Sequence, residues 1–355
     1  MPPKYQLIAD ELRIHIEAGK YSGKDTLPTE FAIAEEYQVS RQTVRQALAV
    51  LVRDGIIEKR QGSGSRIVRR APSQEGSQHS TVAVVTTYIS DYIFPSILRE
   101  VEKTLSQHNC TPSLFSTQNQ VDSERKILKN LLSMPISGVL VEGSKTALPN
   151  PNLDLYRQLL DKGLPLVFMH GGYADLPGAL TVFDDNRSGG RQLVEYLYHK
   201  GHREIAGIFK SDDLQGLQRY AGYIDALRDL GLPMNDRHIF WYNTDAKERL
   251  LSGGPMDLLG PVLEGCTAVV CYNDEIANRL VSHLIKRGVR VPEDMAVVSF
   301  DNSQYSELSP VRITSLSHGK YNVGQMAAEL LIRMMDGEPC RSETAPWTLI
   351  EKDSS

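Results

Sequence analysis

At 355 residues the chain is too long for one ordinary hydrophobic core and suits two or three domains. Its 41% hydrophobic and 23% charged content is that of a soluble globular protein, and no run of eighteen apolar residues is present to span a membrane. The net charge of −5 is divided unevenly: residues 1–70 hold 12 Lys+Arg against 9 Asp+Glu, and the remainder holds 27 against 35. A basic head on an acidic body suits a nucleic-acid partner for the head.

Residues 29–54 carry the pattern of a helix-turn-helix. Thr29 follows Pro28 and is placed to cap a helix starting at Glu30, with Ala32, Ile33, Tyr37 and Val39 on its buried side. Gln38-Val39-Ser40 reads as the turn, and Ser40 as the next cap. The second helix, from Arg41 to Asp54, puts Val44, Leu48 and Leu51 on one face with Ala47 beside them. Arg41, Gln42 and Arg45 fall on the opposite face, where base edges and phosphates are reached. Gly55 is expected to end this helix. Ile56 to Val68 then reads as a β-hairpin with a Gly62-Ser63-Gly64 tip, a wing whose Lys59, Arg60, Gln61 and Arg66 can touch phosphate or the minor groove. The glycine tip lacks the Gly-Lys-Ser/Thr ending of a phosphate loop.

Residues 71–80 contain no large apolar side chain and read as a flexible linker between a domain at 1–70 and another at 81–355. Beyond the linker, β-rich runs alternate with helical ones. The strands are expected at Thr81–Thr87, Pro112–Ser116, Gly138–Glu142, Leu166–His170, Ile205–Lys210, His238–Tyr242, Ala268–Tyr272 and Ala296–Asp301. Helices are expected at Ser96–Gln107, Glu124–Leu132, Gly189–Lys200, Gly216–Leu230, Glu275–Arg287 and Val323–Met335. Such alternation implies parallel sheets with helices on both faces, and about 275 residues of it imply two similar lobes. The fold class expected is therefore a small α+β winged helix-turn-helix domain followed by a two-lobed α/β domain of periplasmic-binding-protein type.

In such sheets ligands bind at the carboxyl ends of strands. The strand-end candidates are Tyr92 and Phe94 after the first strand, Glu142 after the third, and His170 after the fourth. Arg219, Asp274 and Asp301 come from the second lobe, and His318 from the return to the first. Carboxylates accept from hydroxyls, an arginine bridges two of them, and an aromatic face covers a C–H surface. Structural alternatives stand beside these roles. Tyr92 or Phe94 can be core aromatics, Glu142 a helix cap, His170 a hydrogen-bonding residue at the hinge, and Asp274 a first-turn acid favoured by the helix dipole. Lys145 and Lys210 are weaker candidates, and Trp241-Tyr242 can supply an aromatic wall.

Two resemblances give these patterns a context. Lys4-Tyr5, the Leu27–Glu30 turn, Val39–Leu48 and the Gln61–Ser65 tip resemble the GntR family of winged-helix repressors. The resemblance implies operator contacts for Arg41 and Arg45, and also implicates Lys4, Glu30, Gln42 and Gln61. Glu30 can equally be a first-turn acid. From residue 80 onward, Val82–Thr87, Gly138–Glu142, Arg219–Gly222, Cys271–Ala277 and Val297–Asn302 are similar to the LacI/GalR type of sugar-sensing domain. A head and body of these two kinds together resemble the arabinose-responsive repressors, as do the segments Thr86–Ile97, Val141–Lys145 and Gly207–Asp213. That resemblance implies L-arabinose as effector, a homodimer on double-stranded operator DNA and no cofactor.

Other classes fare worse. No nucleophile elbow, HExxH or phosphate loop marks an enzyme. Cys110, Cys266, Cys271 and Cys340 form no CxxC pair, which fits reduced thiols in a cytoplasm, and Cys266 and Cys271 read as buried. The first five residues contain no apolar signal segment, which argues against a secreted sugar-binding protein. The acid pairs Asp184-Asp185 and Asp212-Asp213 lie at turn-like places, and no metal site is expected at them.

Overall fold

A computed structural model describes residues 4–17, 20, 27–53, 56–60, 64–67, 80–251 and 258–355. The chain divides into two compact units, Met1–Gln78 and His79–Ser355, hereafter the head and the body. Most of the segment expected as a linker, and the wing tip with Gln61, lie outside the described residues.

The head contains three helices, α1 (Lys4–Glu17), α2 (Glu30–Glu36) and α3 (Arg41–Arg53), and a hairpin of β1 (Ile57–Arg60) with β2 (Gly64–Ile67). Thr29 caps α2 as expected, its Oγ1 accepting from Ala32 N at 3.2 Å. Ser40 caps α3 in the same way, accepting from Thr43 N at 3.2 Å. Gln38 takes φ 48° in the turn between them. A non-glycine residue there costs about 1–2 kcal/mol, which the packing on both sides must offset. Val44, Ala47, Leu48 and Leu51 are buried against Ile8, Ala9 and Leu12 of α1 and Ile33 of α2. On α2 itself Ala34 is buried where Ala32 is only half-buried, so the buried stripe lies slightly round from its expected place. Strands β1 and β2 are antiparallel, Ile57 opposite Ile67 and Arg60 opposite Gly64.

The body has two lobes. In lobe 1 come β3 (Ser80–Thr86), α4 (Phe94–Gln107), β4 (Cys110–Ser116), α5 (Val121–Leu131), β5 (Gly138–Val141), α6 (Leu153–Asp161), β6 (Leu166–His170) and β7 (Leu180–Asp184). The chain then enters lobe 2 with α7 (Asn186–His199), β8 (Ile205–Lys210), α8 (Leu214–Asp229), β9 (Ile239–Tyr242), α9 (Thr244–Leu251) and α10 (Gly260–Leu263). Lobe 2 continues with β10 (Ala268–Cys271), α11 (Asp274–Lys286), β11 (Ala296–Phe300), α12 (Gln304–Leu308) and β12 (Thr314–Ser317). It returns to lobe 1 for α13 (Val323–Met335) and β13 (Glu343–Ala345), and ends in lobe 2 with β14 (Thr348–Ile350). The lobe 1 sheet runs β13-β7-β6-β5-β3-β4 and the lobe 2 sheet β14-β12-β11-β10-β8-β9. All pairings are parallel except β14 on β12. Two parallel sheets are what the alternation predicts. The sequence reading lacks β7, β12, β13 and β14.

Burial explains the strand runs. Every residue of β5, β6, β8, β10 and β11 is buried, as strands covered on both faces must be. Cys266 and Cys271 are buried thiols, and burial pushes both pKa values up. Among the described residues all four cysteines are free.

Three features shape the facing ends of the two lobes. The strands end with their carboxyl ends at the space between the lobes. The loop after β5 is fixed by Glu124, a wholly buried carboxylate that accepts from Ser144 N, Asn150, Asn152 and Tyr156 at 2.8–3.0 Å. Helices α7 and α8 meet backbone to backbone. A Cβ on Gly190 would lie 2.1 Å from the Arg219 carbonyl oxygen, and one on Gly222 1.8 Å from that of Arg187. Neither backbone can yield without moving a helix, so Gly222→Ala should destabilise the body by about 1–3 kcal/mol. It should also displace Arg219 from lobe 2's strand ends. Urea unfolding read by tryptophan fluorescence would measure the first effect.

Candidate functional sites: a DNA-reading helix and an interlobe cavity

On the head, Arg41 and Gln42 stand exposed in the first turn of α3. Arg45, one turn on, is also exposed, and its Nε donates to Glu30 Oε2 at 2.8 Å. Glu30 is therefore a first-turn acid of α2 that also orients an arginine of the reading helix. Lys4 begins α1 and is exposed. Gln61 lies outside the described residues.

In the body, seven of the eight expected ligand residues line one cavity of about 220 Å³ between the lobes: Tyr92, Phe94, Glu142, His170, Arg219, Asp301 and His318. The eighth does not. Asp274 is wholly buried, and its carboxylate is turned away from the cavity into a cluster of Ser299, Ser303 and Ser315. Asn273 takes the capping role at α11, accepting from Ile276 N at 3.1 Å, and it is Asn273 that lines the cavity. A helix-start acid fixed in position along the chain is not fixed in direction, and the serines decide its direction.

The cavity is built from matched charges. Arg219, buried under α8, donates to Asn186 at 2.9 Å, to the Tyr272 carbonyl and to Asp301 at 3.2 Å, and its guanidinium lies 4.2 Å from the Phe300 ring centre. Tyr92 reaches from lobe 1 to donate to Asp301 at 2.7 Å, and accepts from Asp274 N at 3.1 Å. Burial and the Asp301 charge push the Tyr92 phenol well above its usual range. Lys210 pairs with Asp213 at 2.5 Å; burial lowers its pKa, but Asp213 and Asp212 outweigh burial and raise it. Glu142 accepts from Thr87 Oγ1 at 2.8 Å, and burial raises its pKa despite that bond.

Asp184 lies between two imidazoles, 2.9 Å from His170 Nδ1 and 2.8 Å from His318 Nε2. Burial opposes its ionisation, yet His170 and His318 hold its pKa well below the carboxylate range. Burial also lowers the His170 pKa, and Asp184, Glu142 and Asp301 outweigh it and raise the value to about 9. The backbone is strained at these strand ends, with φ 53° at Tyr92, 65° at His170 and 93° at Asp301. Such residues persist where the surroundings over-determine them, a pattern of ligand clamps.

Sequence reasoning weighed Asp184 and Asp213 only as metal ligands, overlooked Asn119 and undervalued Lys210. Asp184 ends the short strand β7, so the rule that found Asp301 would have found it had that strand been recognised. Asn119 bridges the lobes, donating to Asp213 at 3.2 Å and Thr244 at 2.6 Å. Of the Trp241-Tyr242 pair, Tyr242 lines the cavity, while Trp241 packs 4.9 Å from Tyr220 at the sheet edge.

Known proteins share both halves. Residues 4–67 match the gntR family of bacterial regulatory proteins, and residues 194–355 match the periplasmic binding protein-like domain. Over 345 residues the chain is 35% identical to the arabinose metabolism transcriptional repressor of Halalkalibacterium halodurans, covering 95% of this chain and 91% of that one. It is 37% identical over 335 residues to the protein of the same description from Geobacillus stearothermophilus, covering 94% and 92%. The chain belongs to the family of arabinose metabolism transcriptional repressors. It is a sugar-responsive, DNA-binding repressor and not an enzyme. Solved structures agree in fold. The transcription regulator CcpA of Lactococcus lactis has a TM-score of 0.68 at 24% identity, covering 78% of this chain and all of its own. A CelR–cellobiose complex also scores 0.68, at 22% identity, covering 93% and 100%. Among the described residues no helix is long and apolar enough to cross a membrane.

The pH dependence follows from His170. Its folded pKa stands above the unfolded value of about 6.5, so its stabilising contribution is complete below that pH and is lost as pH rises through about 9. The unfolding free energy from urea titration should fall between pH ~6.5 and ~9 by roughly 1–3 kcal/mol, and His170→Gln should flatten that slope.

Proposed function

We propose that the interlobe cavity binds L-arabinose, and that the bound sugar releases a homodimer of this repressor from a palindromic operator in the cytoplasm, without any cofactor. One observation carries the choice of ligand: the cavity's buried cations, and Asp184 with them, are already paired within the protein, and Glu142 is held by Thr87. Arg219 has Asp301, Lys210 has Asp213, and Asp184 has two histidines. A phosphate or carboxylate would have to break one of these pairs, whereas a neutral polyol can donate to the carboxylates and accept from the cations at once. His170 Nε2, buried and without a hydrogen-bond partner among the described residues, is a further donor for a hydroxyl. Tyr92, Phe94 and Tyr242 supply the aromatic surface a sugar ring needs. A cavity of about 220 Å³ is smaller than the ~300–1,000 Å³ of drug-sized sites and suits one monosaccharide. The arabinose assignment is supported by the family relatives, whose names specify arabinose metabolism.

Sugar acts on DNA only through its differential affinity for two arrangements of the protein. Two heads are needed for two half-sites, and hence two chains. The test uses the duplex that the protein selects from a random pool, with fluorescence anisotropy read with and without L-arabinose and a panel of other pentoses and hexoses. Saturating L-arabinose should weaken binding at least tenfold. If another sugar alone does so, the effector is that sugar, and if none does, the sensing role is wrong.

Each site has its own variant. Arg41→Ala and Arg45→Ala should each weaken operator binding by about 1–3 kcal/mol. Asp301→Asn should abolish heat of sugar binding in calorimetry while leaving sugar-free operator affinity unchanged, because it removes Arg219's partner in the cavity and changes no residue of the head.

A further inference from the structure

Three segments carry the chain between the lobes: from Asp184 to Asn186, from Ser317 to Val323, and from Ala345 to Thr348. One imidazole touches all three. His318, on the second, lies with Nε2 2.8 Å from Asp184 on the first and Nδ1 3.3 Å from the Pro346 carbonyl on the third. Its ring stacks on Trp347 of the third segment, 3.7 Å between centres and 24° between planes.

Trp347 extends this junction toward the sugar cavity without lining it. Its indole meets the Phe300 ring edge-on at 5.6 Å, and Phe300 immediately precedes Asp301. The Arg219 guanidinium lies 5.5 Å from its centre. Gly189 of α7 lies against both rings, where a Cβ would come within 2.8 Å of the indole and 2.9 Å of Phe300. The indole Nε1 is buried and makes no hydrogen bond among the described residues, so the ring serves here through its faces and edges. One flat, rigid group therefore touches the segment crossings on one side and the Arg219–Asp301 floor of the cavity on the other.

We propose that Trp347 is the positioning residue that couples sugar occupancy to the relative angle of the lobes. A sugar that engages Arg219 and Asp301 shifts the contact of Arg219 and Phe300 with the indole, and the indole moves His318 and with it all three crossings. The proposal rests on the sugar-sensing reading above. It adds that a residue outside the ligand contacts sets the size of the response.

The test separates binding from response. Full-length Trp347→Leu and Trp347→Phe are compared with the parent for sugar affinity by calorimetry and for operator affinity with and without the sugar to which the parent responds. In Trp347→Leu the sugar affinity should stay within about threefold and the sugar-free operator affinity should be unchanged. The sugar-induced loss of operator binding should shrink at least tenfold, and Trp347→Phe, which keeps an aromatic face for His318, should restore most of it. Gly189→Ala, whose Cβ would press on the indole and on the Phe300 ring against it, should displace the indole without removing it and shrink the response in the same direction with sugar affinity kept within about threefold, which keeps the test decisive if Trp347→Leu does not fold. A full response in these variants overturns the proposal. So does a loss of sugar affinity that accounts for the lost response, because the ring would then serve the site. A parent protein indifferent to every sugar overturns the sensing reading itself, and this proposal with it.

Discussion

The buried contact between Arg219 and Asp301 is the constraint around which the body is arranged. A guanidinium taken out of water is costly unless it is fully paired, and Arg219 is paired on every side: Asn186, the Tyr272 carbonyl and Asp301 accept from it, and Phe300 covers its face. Holding it there requires α8 to approach α7 more closely than side chains permit, hence Gly190 and Gly222. It also requires Asp301 to turn through φ 93° at the end of β11. Tyr92 then reaches the same carboxylate from lobe 1. Fold, strain and cross-lobe contact all converge on one ion pair.

The two halves use polar groups differently. The head depends on short-range capping, with Thr29 and Ser40 each satisfying a backbone donor at the start of a helix, and an apolar core shared by α1, α2 and α3. The body places charge in its interior, where Arg219 meets Asp301 and Asp184 meets His318 across long stretches of sequence, while Lys210 is paired locally with Asp213. Removing one member strands the other, which is why single substitutions in the cavity should have large effects.

This difference explains what could be read in advance. The caps, the buried face of α3 and the long apolar strands are local patterns, and the sequence shows them within a few residues of their observed bounds. Asp301 was legible because a strand end fixes where such a residue sits, and Arg219 because Arg219–Gly222 carried the resemblance to sugar-sensing domains. The direction of Asp274 was not, since it depends on Ser299 and Ser315, which reach it only through the pairing of β11 with β12. Strands β13 and β14 are three residues long, too short for any periodicity to show. As a cavity residue Asp184 was missed with its strand, and Asn119 and Asp213 because their partners lie across the cleft.

The pairing of Arg45 with Glu30 has a consequence for the ionic atmosphere of the DNA. Free arginines that meet phosphate release condensed counterions, and the count of those ions sets how steeply salt weakens binding. An Arg45 that met phosphate would arrive with its charge already compensated by a neighbouring carboxylate. Its approach adds little net positive charge to the complex, so it displaces few cations. The head's grip should therefore resist salt better than its number of arginines suggests, with selectivity for base edges retained where long-range attraction is screened away.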